Sequence, residues 1–271
     1  MTDALPIGMF DSGVGGLTVL REVMRQLPGE STVYFGDTAR VPYGSKSRDV
    51  ITRFSLEIGQ FLLQEKVKMI VVACNTASAF ALPTMRQKFK VPIVGVVAPG
   101  ARAALAATQS RRIGVIGTEG TIESQAYSEA IHYLDPKAEV FGQACPLIVP
   151  LVEEGWLEKP LALEVVKEYL TPLLTNRIDS LVLGCTHYPL LKNLLGQVTG
   201  PGVKLIDSAE ETARAVGQKL REDKLEAPSG SSGAMRYFYV SDAPEKFEKI
   251  GRRFLGQELP AVKRVDIGSW I

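Results

Sequence analysis

The chain has 271 residues, 45% of them hydrophobic, which suits two modest α/β domains or one large one and leaves no room for long disorder. Its 31 Lys and Arg nearly cancel 30 Asp and Glu without clustering, so a small molecule is expected as partner and neither nucleic acid nor an anionic membrane is. Met1 to Pro6 carries no basic or apolar signal, no stretch nears the roughly 20 apolar residues of a membrane span, and the three cysteines lie far apart, so a cytoplasmic protein with free thiols is expected.

Leu5 to Phe10 has the composition of a buried strand, and beyond the turn Asp11-Ser12-Gly13-Val14-Gly15-Gly16 the residues Leu17, Leu20, Val23, Met24 and Leu27 recur at helical spacing. A second strand, Val33 to Gly36, leads to Asp37, an arrangement that invites a dinucleotide reading. The fingerprint fails, because G-x-G-x-x-G from Gly13 requires a glycine where Thr18 stands. The glycines either bring the backbone close to a small ligand, with Asp11 and Ser12 at the strand end, or only shape a tight turn. Thr38 to Ser47 reads as a contact-bearing loop with Tyr43 and Gly44 on a pocket wall, and a helix from Val50 to Gln64 follows. Met69 to Ala73 is a buried strand running into Cys74-Asn75-Thr76-Ala77-Ser78, where a helix opens that breaks near Pro83; Val91 to Val97 is the next strand. Strand and helix alternate, which predicts a parallel sheet.

Ala98-Pro99-Gly100 reads as a domain crossing before a helix from Ala101 to Thr108, after which the pattern restarts. Arg112 to Thr118 lies over Pro6 to Ser12 at an offset of 106 residues, and Ser180 to Pro189, which contains Cys185-Thr186-His187, lies over the Cys74 segment at an offset of 111. Self-similarity at nearly one spacing marks a duplicated half. Between these stretches the pattern predicts a helix over Glu123 to Leu134, a strand near Ala138 to Gly142 and a helix from Pro160 to Leu174. A strand from Val203 to Ile206 then leads to Asp207-Ser208 as the N-cap of a helix to Arg221. Pro228 to Gly233 is a surface turn, and the tail adds a strand at Tyr237 to Val240, a helix from Pro244 to Phe254 and a strand at Val262 to Val265.

Cys74 and Cys185 each end a core strand, where open α/β sheets hold ligands. A thiol ahead of a helix N-terminus faces unpaired N–H groups and the positive end of the macrodipole, which favours thiolate. Zinc would need more ligands than His132 and His187 add, and none is expected. A cysteine hydrolase could use Cys185 with His187 but leaves Cys74 idle, and a ligand-binding protein of the same fold would likewise depend on only one cysteine. Burial alone accounts for Cys145, which precedes Pro146 away from any polar cluster. The hydrogen-bonding residues after Cys74 and Cys185 instead suit carboxylates.

Phe10-Asp11-Ser12-Gly13-Val14-Gly15-Gly16, Pro42-Tyr43-Gly44, Ala73-Cys74-Asn75-Thr76-Ala77, Pro150-Leu151-Val152-Glu153, Gly184-Cys185-Thr186-His187-Tyr188-Pro189 and Ile206-Asp207-Ser208 together resemble the glutamate racemases of the aspartate/glutamate racemase superfamily. The resemblance spans essentially the whole chain. It implies two similar open parallel-sheet α/β domains related by a pseudo-twofold, residues 1–98 with 208–271 and residues 99–207, with the active site in the cleft between them. It further implies a cofactor-independent homodimer that makes D-glutamate for peptidoglycan. Carried over by position, Cys74 and Cys185 are the acid/base pair, Asp11, Ser12, Tyr43, Gly44, Asn75, Thr76, Thr186 and His187 hold glutamate, and Glu153 supports them.

Overall fold

The computed structural model of the protein describes residues 5–228 and 233–267. Most of the expected turn at Pro228 to Gly233 lies outside the described residues. The first half runs β1 (Ile7–Asp11), α1 (Leu17–Gln26), β2 (Thr32–Gly36), α2 (Arg48–Gln64), β3 (Met69–Val72), α3 (Asn75–Lys88) and β4 (Ile93–Gly95). The second runs α4 (Val97–Ala107), β5 (Arg112–Gly117), α5 (Glu119–Glu123), α6 (Ala126–Leu134), β6 (Glu139–Ala144), α7 (Ile148–Glu153), α8 (Pro160–Thr175), β7 (Ser180–Gly184), a 3-10 turn (Tyr188–Leu191), α9 (Lys192–Thr199) and β8 (Lys204–Asp207). The chain closes with α10 (Ser208–Glu222), β9 (Arg236–Val240), α11 (Pro244–Leu255) and β10 (Val262–Arg264).

Two parallel sheets result, one of six strands in the order β10-β9-β2-β1-β3-β4 and one of four in the order β6-β5-β7-β8. The duplication read from the sequence is visible here: β2-β1-β3-β4 and β6-β5-β7-β8 are the same order, each with its cysteine-bearing strand beside the first strand of its half. Helices cover the sheets, so β1, β2, β3 and β7 are buried at every position, which is why they read as unbroken apolar runs rather than as alternation. Edge strand β6, with no fully buried position, lacks that signal.

Several boundaries differ from expectation. β4 ends at Gly95 and α4 begins at Val97, so the helix expected from Ala101 starts earlier and takes Ala98-Pro99-Gly100 into its first turn. Proline is tolerated there, because its missing N–H would have had no partner in the helix. α3 continues through Pro83 instead of breaking at it. The helix expected over Glu123 to Leu134 is two helices. Thr118 caps the first by accepting from the Thr121 N–H at 3.3 Å, and Gln125 then turns left-handed at φ 58° before the second. The segment after Val149 belongs to a short helix, α7. Asp207 is the expected N-cap of α10, its carboxylate accepting from the Ala209 N–H at 2.9 Å.

Candidate active site

In each sheet the chain leaves its first strand to pair on one side and returns with its cysteine-bearing strand on the other. β1 lies between β2 and β3, and β5 lies between β6 and β7. A crevice opens at such a switch point, outside the carboxyl ends of the strands. Ser12 and Cys74 follow β1 and β3, Thr118 and Cys185 follow β5 and β7, and all four line one narrow cavity. Tyr43, Gly44, Asn75 and Thr76 complete its wall from the first half, and Glu153, Thr186 and His187 from the second. Each half therefore contributes one thiol.

The halves meet closely around it. Thr18 Oγ1 donates to the carbonyl of Thr186 at 2.9 Å, and the Gly120 N–H donates to the Gly44 carbonyl at 2.8 Å. A β-carbon at Gly44 would stand 2.6 Å from that of Thr118, so only glycine lets this loop reach the opposite wall.

Cys74 is the N-cap of α3, and its sulfur accepts from the Ala77 N–H at 3.5 Å and lies 4.0 Å from Ser12 Oγ. The expected thiolate at this helix end does not follow. Burial, then the nearby Asp11 carboxylate, push the Cys74 thiol up to about 12, against the smaller opposite pull of the Ala77 N–H. Removing a charge from water costs more than one helix end returns. Cys185 has a different setting, because a 3-10 turn rather than an α-helix follows it and it caps neither. Its sulfur lies 3.8 Å from His187 Nδ1, and His187 Nε2 is 2.9 Å from Glu153 Oε1.

Comparison with known proteins agrees with this geometry. The Asp/Glu/Hydantoin racemase model matches residues 7–216. A glutamate racemase of Geobacter metallireducens is 55% identical over 96% of both chains. The chain belongs to this racemase family. The fold agrees as well: a glutamate racemase isoform of Bacillus anthracis superimposes with a TM-score of 0.92 at 41% identity, covering 97% of this chain and 98% of that one. The Francisella tularensis glutamate racemase in complex with D-glutamate gives 0.91 at 39% identity, covering 99% of this chain and 100% of that one.

Within the family frame, two of the expected site residues are also engaged inside the protein. Asp11 lies behind the wall, fully buried, where burial raises its pKa; one carboxylate oxygen accepts from the Gly13 N–H at 3.0 Å, and the other has no partner among the described residues. Tyr43 reaches the cavity with its ring, but its hydroxyl donates to Asp37, which also takes Arg40 Nε at 2.7 Å. Asp37, the residue a ribose would have needed, serves this loop instead. Of the three glycines expected to approach a ligand, only Gly13 lines the cavity; Gly15 packs against Thr186 and His187. Thr118 is the polar wall residue that was missed, its hydroxyl 2.9 Å from that of Thr76, and the apolar Val41 and Val149 were missed with it.

Two neighbours raise the proton affinity of His187. Burial opposes its charge, but the contacts with Cys185 and Glu153 outweigh burial and raise its pKa above the ordinary 6.5. Its contribution to stability is therefore full below that value and is lost as pH rises through the higher folded one. Glu153, held below its ordinary 4.5 by the hydrogen bond to His187, contributes above 4.5, and that share is lost as pH falls through its folded value. Replacing the carboxylate in Glu153→Gln is expected to cost about 1 kcal/mol at neutral pH, since the group is partly exposed and screened, and to move the alkaline loss of stability to lower pH. Urea unfolding of both proteins from neutral to alkaline pH checks this, and superimposable curves refute it.

Proposed function

We propose that the protein interconverts L- and D-glutamate by moving the α-proton between Cys74 and Cys185, with no added cofactor. The observation that carries this reading is the pair of thiols, one from each half of a duplicated fold, in a cavity walled by hydroxyl and amide groups. Inversion of an α-carbon needs a base on one face and an acid on the other. One sulfur, as thiolate, takes the α-proton and leaves a carbanion whose charge spreads into the carboxylate; the opposite thiol then gives its own proton to the other face. The bond broken and the bond formed are both C–H, and the two sulfurs exchange protonation states. Hydroxyl and N–H groups of Ser12, Asn75, Thr76, Thr118 and Thr186 meet the developing negative charge in a site shielded from water. The family resemblance assigns Cys74 to D-glutamate and Cys185 to L-glutamate. In this assignment Asp11, behind Cys74, and His187 with Glu153, beside Cys185, set the two thiols in unlike fields.

The two sheets support a division into residues 1–98 with 208–271 and residues 99–207, with the cleft between them. Among the described residues no helix is long and apolar enough to cross a membrane. Working in the cytoplasm, as a homodimer, to supply D-glutamate for peptidoglycan follows from the family resemblance. The test is a polarimetric assay of purified protein, without added cofactor, starting from either enantiomer of glutamate. Both are expected to approach the same racemic mixture. No rotation change from either would overturn the reading, and equal turnover of aspartate would place the protein elsewhere in its family.

A further inference from the structure

Tyr127, at the second residue of α6, does not line the cavity, yet its hydroxyl reaches across the cleft to Asn75, which does. Its ring is buried in a slot of the second half: a β-carbon at Gly100 of α4 would stand 3.2 Å from one ring edge, and one at Gly184, where β7 ends, 3.2 Å from the other. A side chain at either place would crowd the ring. From that slot the phenol donates to Asn75 Oδ1 at 2.7 Å. Burial pushes the phenol pKa up, so it stays a proton donor at any pH the enzyme meets. With its oxygen so engaged, the Asn75 amide can only turn its NH2 group elsewhere. That nitrogen is buried at the cavity wall and has no hydrogen-bond partner among the described residues. A buried donor without a partner costs about 1–3 kcal/mol, a penalty that a ligand acceptor would remove.

We propose that Tyr127 is a positioning residue, which holds the Asn75 amide across the domain cleft with its NH2 group turned to a carboxylate of glutamate. The inference rests on the function proposed above. Because the bond joins the two halves, the donor is aimed only when they are together, so substrate carboxylate and closed cleft favour each other.

The test is a double-mutant cycle of Tyr127→Phe and Asn75→Ala, read as KM and kcat in both directions together with melting temperature. Phenylalanine keeps the ring in its glycine slot and removes only the hydroxyl. A carboxylate contact made equally in ground and transition states shows in KM, so Tyr127→Phe is expected to raise KM for both enantiomers roughly tenfold, with kcat within about threefold. In the Asn75→Ala background the same change is expected to add less than about twofold, because the group it aims is gone. An unchanged KM in Tyr127→Phe overturns the inference, as does a rise that adds fully to that of Asn75→Ala or follows a fall in melting temperature. Wild-type protein inactive on glutamate would overturn the functional reading and this inference with it, whereas an active wild type with an unaffected Tyr127→Phe overturns this inference alone.

Discussion

Either Cys74→Ser or Cys185→Ser is expected to lower racemisation in both directions by on the order of 10³-fold or more. Each turnover needs one sulfur as base and the other as acid, and an alcohol can scarcely lose its proton near neutrality, so both variants fail although only one group has changed. The two cysteines are buried in equivalent places, and serine is close in size, so the fold should persist in both. Isotope labelling separates this mechanism from a one-base alternative. In deuterated water the wild-type protein should place deuterium in newly formed product while recovered substrate stays protonated at early times, since the proton removed stays on one sulfur and the opposite sulfur delivers solvent deuterium. If recovered substrate gained deuterium as fast as product, a single group would be serving both faces and the two-thiol mechanism would fail.

Gly15→Ala should cost activity on the order of 10²-fold, a large effect for one methyl group outside the cavity wall. A β-carbon at Gly15 would overlap Thr186 Oγ1 and stand 2.5 Å from His187 Nδ1 and Cε1. Neither partner can retreat easily. The Thr186 carbonyl is held by Thr18, and the His187 ring is held by Glu153 on one side and packs edge-on against Phe254, with centroids 5.0 Å apart, on the other. The Glu153 end is itself anchored, because Arg253 Nη1 donates to the carbonyls of Val152 and Glu153 at 3.0 and 2.8 Å. The methyl must therefore displace the groups beside Cys185 or push the two halves apart. Overpacking of this kind costs about 1–3 kcal/mol of stability, and a displacement near 1 Å of a reacting group accounts for the larger kinetic loss. Gly29→Ala is the control, since nothing lies within 4 Å of its added carbon. Wild-type kcat/KM in Gly15→Ala would mean that this contact does not place His187.

The parts of this protein that local composition controls were legible in its sequence. Short unbroken runs rich in β-branched residues and leucine fit buried parallel strands, so Met69 to Val72 and Ser180 to Gly184 were legible as core strands, and the residues after them as strand-end groups. The repeat of Pro6 to Ser12 in Arg112 to Thr118 pointed to the duplication that the shared strand order displays and set Thr118 in the place of Ser12, a signal sufficient to find the missed fourth corner of the cavity. The setting of each group there depends on how the chain folds. The Cys74 thiol is pushed up because burial and Asp11 outweigh its helix end, the Tyr43 hydroxyl turns to Asp37, and Asn75 is oriented by Tyr127 from the other half. Desolvation and hydrogen bonding are sums over neighbours brought together by folding, 52 positions apart for Tyr127 and Asn75, and no periodicity along the chain records such a sum.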